Sequence, residues 1–301
     1  MQRRYVTVDV FTDRAFGGNP LAVVLDAEGL STDQMQAIAT EFNYAETTFV
    51  LPPHDPAHDA EVRIFTVRSE IPFAGHPNVG TAFVLASRAE RAPERLQFEE
   101  KAGLVPVQIF KSSGKVTGAE LTAPQPLKRL NTRVDAGQAA ACISLSTADI
   151  KTDRHAPHII SVGLPFLAVE VASRDALRRA KPDAEAFART FPCEGSDAIF
   201  FYTRDVPAGE KPCDLQARMF HPGSSGLSED PATGSAGAAA AALFADLDQS
   251  KNGELKLQIG QGFDLGRPSF LLTRVVKQDG RIVSAHVGGA CVFMTEGTFS
   301  L

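Results

Sequence analysis

Hydrophobic positions fall into short runs rich in Val, Phe, Thr and Ile, separated by polar breaks that carry Gly or Pro. In the first half, residues 5–10, 21–25, 47–51 and 61–67 predict strands. Residues 31–42 have the spacing of an amphipathic helix. Ser31 is placed to cap it, and Gln34 three residues on completes a capping-box pattern. The second half predicts strands over 159–162, 167–171, 198–203, 215–220, 255–259, 270–276 and 281–286. It predicts helices over 134–143, 174–180 and 184–191. Two further segments, 79–86 and 236–245, are apolar or small on every side, which predicts helices buried all round.

The chain also resembles itself. Arg63-Ile64-Phe65 recurs as Arg218-Met219-Phe220. The Glu70–His76 stretch has its counterpart in the Glu229–Ser235 stretch, and each is followed by one of the two apolar segments. Two weaker matches precede these: residues 18–24 with 163–169, and 45–49 with 196–200. Four matches in the same order indicate two halves built on one plan. Pro124 and Pro126 interrupt the pattern between the halves, so the expected domains are 1–125 and 126–301. The fold class expected is α+β: two pseudo-symmetric domains, each a mostly antiparallel sheet wrapped around a central helix.

Composition narrows the setting. Thirty basic against 36 acidic residues give a net charge of −6, and no basic run exceeds a pair, so nucleic acid is not an expected partner. The longest apolar stretch, 236–245, is far short of the ~18 residues a membrane span requires. The N-terminus lacks the apolar region of a signal peptide. Four cysteines without a C-x-x-C pair read as separate reduced thiols. The expected location is the cytoplasm.

The buried helices carry a functional implication. A helix start presents unpaired N–H groups and the positive end of the dipole. Two such starts at Gly-containing turns could face one cleft between the halves and take a small anion, most simply a carboxylate. Local side-chain caps would serve instead if no ligand binds there. Glu46, beside apolar strand residues, is a candidate general acid or base; alternatively it is an outward-facing strand residue. His76, just before Pro77, could donate to a ligand or relay a proton, or could simply cap or pack the helix. Asp230 precedes the second helix and could orient a ligand amine or His76, or act as a cap. Thr233 and Ser235 could cap that helix or contact a ligand. The histidines of 54–59 and 155–158 lack a metal-ligand context, and no metal site is expected. No P-loop, dinucleotide fingerprint, zinc-protease or nucleophile-elbow motif occurs.

The combination resembles the PhzF family, phenazine-biosynthesis-like proteins with the diaminopimelate epimerase fold. The resemblance rests on Gly18-Asn19-Pro20, Ala45-Glu46-Thr47-Thr48-Phe49-Val50 and Pro72-Phe73-Ala74-Gly75-His76-Pro77. It continues through Glu229-Asp230-Pro231-Ala232-Thr233-Gly234-Ser235-Ala236, Gln261-Gly262, Gly266-Arg267-Pro268-Ser269 and the segment 288–297. It implies two similar domains with an active site between them, a cofactor-independent isomerase, and a homodimer. The family's catalytic glutamate falls on Glu46, its site histidine on His76, its aspartate on Asp230 and its serine on Ser235. Asn19 matches a position implied to contact substrate, and Gly75, Thr233 and Gly234 fall where a substrate carboxylate would meet the helix starts. In the phenazine enzyme the reaction is a proton shift on a dihydro-hydroxyanthranilate. Racemases of this fold carry a cysteine at each central helix start. Here those turns read Phe73-Ala74-Gly75-His76 and Pro231-Ala232-Thr233-Gly234-Ser235, which argues against two-thiol chemistry. The expected function is a proton-shifting isomerase of a small carboxylic or amino acid. The alternatives are a non-catalytic binding or interaction protein on the same fold and, lacking a nucleophile motif, a hydrolase using Ser235 and His76.

Overall fold

The computed structural model describes residues 2–131, 133–206, 213–223 and 226–301. The chain divides into two compact units. One comprises residues 1–122 with 288–301, the other residues 123–287.

The first unit contains β1 (Gln2–Val10), β2 (Asn19–Val24), α1 (Thr32–Phe42), β3 (Glu46–Leu51), β4 (Ala60–Thr66), β5 (Glu70–Ile71), α2 (Gly75–Arg88), β6 (Arg95–Glu100), β7 (Gly103–Ser112) and β8 (Lys115–Thr122). β1 and β2 pair antiparallel and β2 and β3 parallel. β4 lies antiparallel to β3 and β5 and parallel to β6. β6, β7 and β8 then form an antiparallel meander. α2 packs against β1, β2, β3, β7 and β8. It is buried from Gly75 through Val84, as its lack of a polar face requires. Gly80 permits the close approach: a Cβ there would stand 2.6 Å from Leu21 Cδ2 and 2.8 Å from Val10 Cγ2. On the outer face of the sheet, α1 covers Val24, Phe49 and Phe65 with Met35 and Ile38. Its capping box forms as expected, with Ser31 accepting from the Gln34 N–H and Gln34 accepting from the Ser31 N–H.

The second unit contains β9 (Lys128–Leu130), α3 (Ala136–Cys142), β10 (Ile150–Lys151), β11 (His158–Ser161), β12 (Pro165–Val171), α4 (Arg174–Arg179), α5 (Ala184–Thr190), β13 (Ile199–Thr203), β14 (Leu215–Gly223), β15 (Gly226–Asp230), α6 (Gly234–Leu247), β16 (Gly253–Gln261) and β17 (Ser269–Gln278). The sense of strand pairing from β2 to β7 recurs from β12 to β17. β12 and β13 are parallel, β14 is antiparallel to β13 and β15 and parallel to β16, and β16 and β17 are antiparallel. α6 packs against β11, β12, β16 and β17 and is buried from Ala236 through Ala245. On the other face Leu177 and Phe187 of α4 and α5 meet Leu167, Val169, Ile199 and Phe201.

The repeated Arg and Glu have the same task in both units. Arg63 on β4 donates from Nε and Nη2 to the two carboxylate oxygens of Glu70 on β5, at 2.8 and 2.7 Å. Arg218 on β14 makes the same fork to Glu229 on β15, at 2.9 and 2.6 Å. Each guanidinium also lies over the phenylalanine two residues on, Phe65 and Phe220.

The short strands β5, β9, β10 and β15 were not expected from the sequence, and two larger features also depart from it. No elements were expected between α2 and residue 122, yet β6, β7 and β8 lie there. They are half-buried strands whose apolar residues alternate, as Val105, Val107 and Ile109 do. The chain's last strand, β18 (Arg281–Ser300), runs well beyond the expected 281–286. Its end, from Gly288 on, lies with the first unit rather than in a domain spanning 126–301. β1 carries the buried run Val6, Val8 and Val10 and needs a partner on each edge. β2 takes one edge and β18 the other, from Val10 opposite Cys291 to Gln2 opposite Ser300. Among the described residues, no helix is long and apolar enough to cross a membrane.

Candidate active site

Glu46 and His76 meet where β3 packs against α2. Thr48 Oγ1 lies 2.8 Å from Thr81 Oγ1, which fixes β3 against α2. Glu46 is two residues earlier on the same strand face, a step of roughly 6.6 Å. His76 is five residues earlier on the helix, a step of about 7.5 Å. His76 Nε2 stands 3.4 Å from Glu46 Oε2. Glu46 is partly buried, its side chain 19% exposed, and His76 is buried.

The histidine is held from behind. Asn19, the buried first residue of β2, brings Nδ2 to 3.4 Å from His76 Nδ1. A ring N–H donates to the Pro20 carbonyl. Gly18 sets Asn19 in place: its φ of +63° is left-handed, and a Cβ there would collide with the Val10 carbonyl oxygen at 2.2 Å. Burial pushes the His76 pKa down to about 3, outweighing the Pro20 bond, so the ring is neutral around pH 7.

α2 begins without a side-chain cap, because its N-cap residue is Ala74. Gly75 and His76 supply the first helical positions, and Pro77 sits in the first turn, where its missing N–H is not needed. The Asn78 side chain instead bridges the turn, donating from Nδ2 to the Ala74 carbonyl at 2.9 Å.

In the second unit the structure brings Asp230, Thr233, Gly234 and Ser235 together at the start of α6. Thr233 is the N-cap residue but does not cap with its side chain. Its hydroxyl donates to Asp230 Oδ2 at 2.5 Å. Gln261 braces the turn: its Oε1 accepts from the Thr233 N–H at 3.0 Å, and its Nε2 donates to the Asp230 carbonyl at 2.8 Å. Ser269 Oγ donates to the Pro231 carbonyl at 3.1 Å. Gly262, with φ +75°, lets the 267 carbonyl and the Pro231 carbonyl approach where a Cβ would not fit. Ser235 stands partly exposed at the second helical position.

Three residues of these turns were not among the expected site residues. Gln261 follows an expected strand and was read only as part of a motif resemblance, with no role assigned. Asn78 follows the His76-Pro77 motif directly. Glu100 ends β6 in a charged triplet, 99–101, that reads as surface, yet both its carboxyl oxygens are buried.

The other candidates have structural roles. His54 and His58 both engage the Glu99 carboxylate through Nδ1, at 2.8 and 2.7 Å. His155 is buried, with Nε2 2.6 Å from the Tyr202 hydroxyl. Among the described residues, no group of three or more His, Cys, Asp or Glu side chains is placed to hold a metal ion. Neither helix-start turn contains a cysteine; Cys142, Cys213 and Cys291 are buried, and burial raises their pKa values. The second unit also holds an open pocket of about 680 Å³ bordered by Arg154, Arg204, Phe244 and Leu257, and none of the expected site residues lines it.

Residues 8–297 match the model of a family described as phenazine biosynthesis-like protein. An uncharacterized isomerase of Mesorhizobium japonicum is 38% identical over 299 residues, covering 98% of each chain. The trans-2,3-dihydro-3-hydroxyanthranilate isomerase of Pseudomonas aeruginosa is 35% identical over 295 residues, again covering 98% of each. Among solved structures, a Bacillus anthracis phenazine biosynthesis protein of the PhzF family superimposes with a TM-score of 0.88 at 25% identity, covering both chains completely.

Proposed function

The chain belongs to the phenazine biosynthesis-like family, and on that premise we propose that it is an isomerase that moves a proton on a small carboxylic or amino acid, with Glu46 as acid and base. The observation that carries the reading is the Glu46–His76 pair at the uncapped start of a buried helix. A carboxylate is a competent base when it is partly shielded from water and held close to the carbon it serves. Glu46 takes a proton from one carbon, leaving a carbanion delocalised toward the substrate carboxyl group, and returns the proton at another carbon. No cofactor enters this scheme.

His76 is a neutral neighbour of Glu46 rather than a counter-charge. Its ring, held by Pro20 and Asn19, packs beside Glu46 and shields it without neutralising it. The N–H groups of the first turn of α2 receive the substrate's negative charge. Asp230, Thr233, Gly234 and Ser235 supply further substrate contacts, with Asp230 orienting an amine or hydroxyl.

The test is deuterium wash-in. Wild type and Glu46→Gln are incubated in D2O with trans-2,3-dihydro-3-hydroxyanthranilate as the first probe and a metabolite extract as the second, and masses are followed. Carbon-bound deuterium or a new isomer with wild type alone supports the reading. Glu46→Gln should lose at least 100-fold in rate while keeping its fold, the usual scale for removing a general base. Equal exchange by both proteins removes Glu46 from the chemistry. Exchange by neither, with metabolites retained on the protein, replaces the isomerase with a binding protein.

A further inference from the structure

The far end of α6 borders a cavity that this scheme leaves unused. It measures about 680 Å³, inside the range of roughly 300–1,000 Å³ typical of small-molecule sites. The residues around it belong to the second unit. Ser235, near the start of α6, and Leu247, at its end, lie about 18 Å apart along the helix axis, so the cavity is separate from the turn that holds Asp230.

Its apolar wall is particular to the second half of the chain. Phe244 of α6 forms it with Leu255 and Leu257, which share one face of β16. The first half has the same frame. There the Asp59 N–H donates to the Gln97 carbonyl at 3.0 Å, and Asp59 Oδ2 accepts from the Gln97 N–H at 2.7 Å. Asp214 and Gln258 repeat both bonds, at 2.9 and 2.6 Å. Leu96, just before Gln97, therefore corresponds to Leu257, and Glu94 corresponds to Leu255. Leu96 is buried and Glu94 is an exposed charge, whereas Leu257 and Leu255 both stay partly open to the cavity. The fold itself does not require the opening.

The rim is charged, and its charges are unevenly matched. Arg204 directs Nε and Nη2 to one oxygen of Glu170, at 3.1 and 2.7 Å, and that carboxylate is buried. Arg154 is exposed, and among the described residues no carboxylate pairs with it. Asp214 and Asp248 stand on the same rim. Each gives one oxygen to a backbone N–H, Asp214 to that of Gln258 and Asp248 to that of Ser250. The carbonyls at the end of α6 are already served, since Lys277 Nζ donates to those of Ala245 and Asp248 at 2.8 and 2.7 Å. Two guanidiniums thus stand with three carboxylates. A plain anion would add to the negative excess, and a plain amine would leave Arg154 unmatched. A ligand with one charge of each sign satisfies both.

We propose that this cavity binds an α-amino acid with a large apolar side chain. Its carboxylate meets Arg154 and Arg204, its ammonium meets the Asp214 and Asp248 carboxylates, and its side chain covers Phe244, Leu255 and Leu257. The site stands independently of the isomerase reading.

The experiment is a 13C-methyl NMR titration of the full chain with L-phenylalanine. The Leu255 and Leu257 methyl signals should shift to saturation, and Arg154→Gln should bind about 10-fold or more weakly. On wild type, 3-phenylpropionate lacks the ammonium and 2-phenylethylamine lacks the carboxylate, and each should bind about 10-fold or more weakly than L-phenylalanine. Glu46→Gln should bind L-phenylalanine as wild type does, which separates this cavity from the candidate active site. Leucine signals that do not respond up to about 10 mM ligand overturn the proposal. So does either analogue matching L-phenylalanine, full affinity in Arg154→Gln, or loss of binding in folded Glu46→Gln. The analogue comparison uses wild type alone and decides the matter even where a variant fails to fold. Absence of deuterium exchange would count against the isomerase reading and leave this result standing.

Discussion

His76 Nε2 stands 3.4 Å from a Glu46 carboxylate oxygen, yet burial keeps the imidazole neutral and its pKa near 3. The unfolded chain binds a proton at this residue below about pH 6.5, and the folded chain does so only near pH 3. Between those values the unfolded state holds more protons, so stability is full above about pH 6.5 and falls as pH drops toward 3. The slope from this one residue approaches at most ~1.4 kcal/mol per pH unit. Urea melts across pH 3–7 should show that slope in wild type and a flatter line in His76→Gln. A His76→Gln line as steep as wild type would mean that the ring is charged in the folded protein.

Glu100 has the opposite sign. Its folded pKa, about 8, lies above the ordinary glutamate value of 4.5, so between those limits the folded state holds the extra proton. Its contribution is complete below about pH 4.5 and is lost as pH rises through 8. Glu100→Gln should therefore gain stability on wild type with rising pH, by a few kcal/mol at pH 8 on the scale of about 1.4 kcal/mol per unit of pKa. Guanidinium midpoints at pH 5 and pH 8 measure it. Equal midpoint differences at the two pH values would place an ionised Glu100 in the folded protein.

The Arg63–Glu70 and Arg218–Glu229 forks have the same geometry but different surroundings. Arg218 Nη1 also donates to the Leu177 and Ala180 carbonyls at the end of α4, at 2.8 and 2.9 Å. Arg63 Nη2 adds only the Thr32 hydroxyl. The second pair is also more deeply buried, with side-chain exposures of 10% and 9% against 20% and 9%. Removing one partner of a buried pair costs roughly 3–5 kcal/mol, because the other charge stays behind. Arg218→Met should reach that range and Arg63→Met fall below it, as thermal melts of the two variants would show. The double variants Arg63→Met/Glu70→Met and Arg218→Met/Glu229→Met should each recover part of the loss.

These forks explain how the repeat became readable in the sequence. The Arg and Phe two residues apart make the ring contact in both copies, and the fork forms although Glu lies 7 residues on in the first copy and 11 in the second, because the antiparallel β4–β5 and β14–β15 pairings bring it back. The buried central helices were legible for a similar reason, since an all-apolar helix has one place to go. Other features leave no local trace. Glu46 and His76 meet through the packing of β3 on α2, a contact between distant stretches of the chain. The return of residues 288–301 to β1 is a long-range pairing that strand pattern alone does not specify. Glu100 is hidden in a charged triplet of which only the alternation with Leu96 and Phe98 points inward.

Gln261 is the residue on which the Asp230 turn depends. It is fully buried, and both ends of its amide are used: Oε1 for the Thr233 N–H, Nε2 for the Asp230 carbonyl and, at 3.0 Å, for the Thr233 hydroxyl. The Thr233 hydroxyl in turn donates to Asp230. Gln261→Glu preserves the acceptor for the Thr233 N–H but replaces the donor with a second carboxylate beside Asp230. Gln261→Leu preserves bulk and removes all three bonds. Each orphaned buried group costs about 1–3 kcal/mol, so Gln261→Leu should lower stability by that order in urea melts. Gln261→Glu should suffer mainly above the pH at which the new carboxyl ionises, since a protonated Glu can still donate to the Asp230 carbonyl. If Asp230 orients the substrate, both variants should also raise KM more than they lower kcat, with acid pH partly restoring Gln261→Glu alone. An unchanged KM in folded Gln261→Leu would reduce the Asp230–Thr233–Gln261 cluster to a brace for the start of α6.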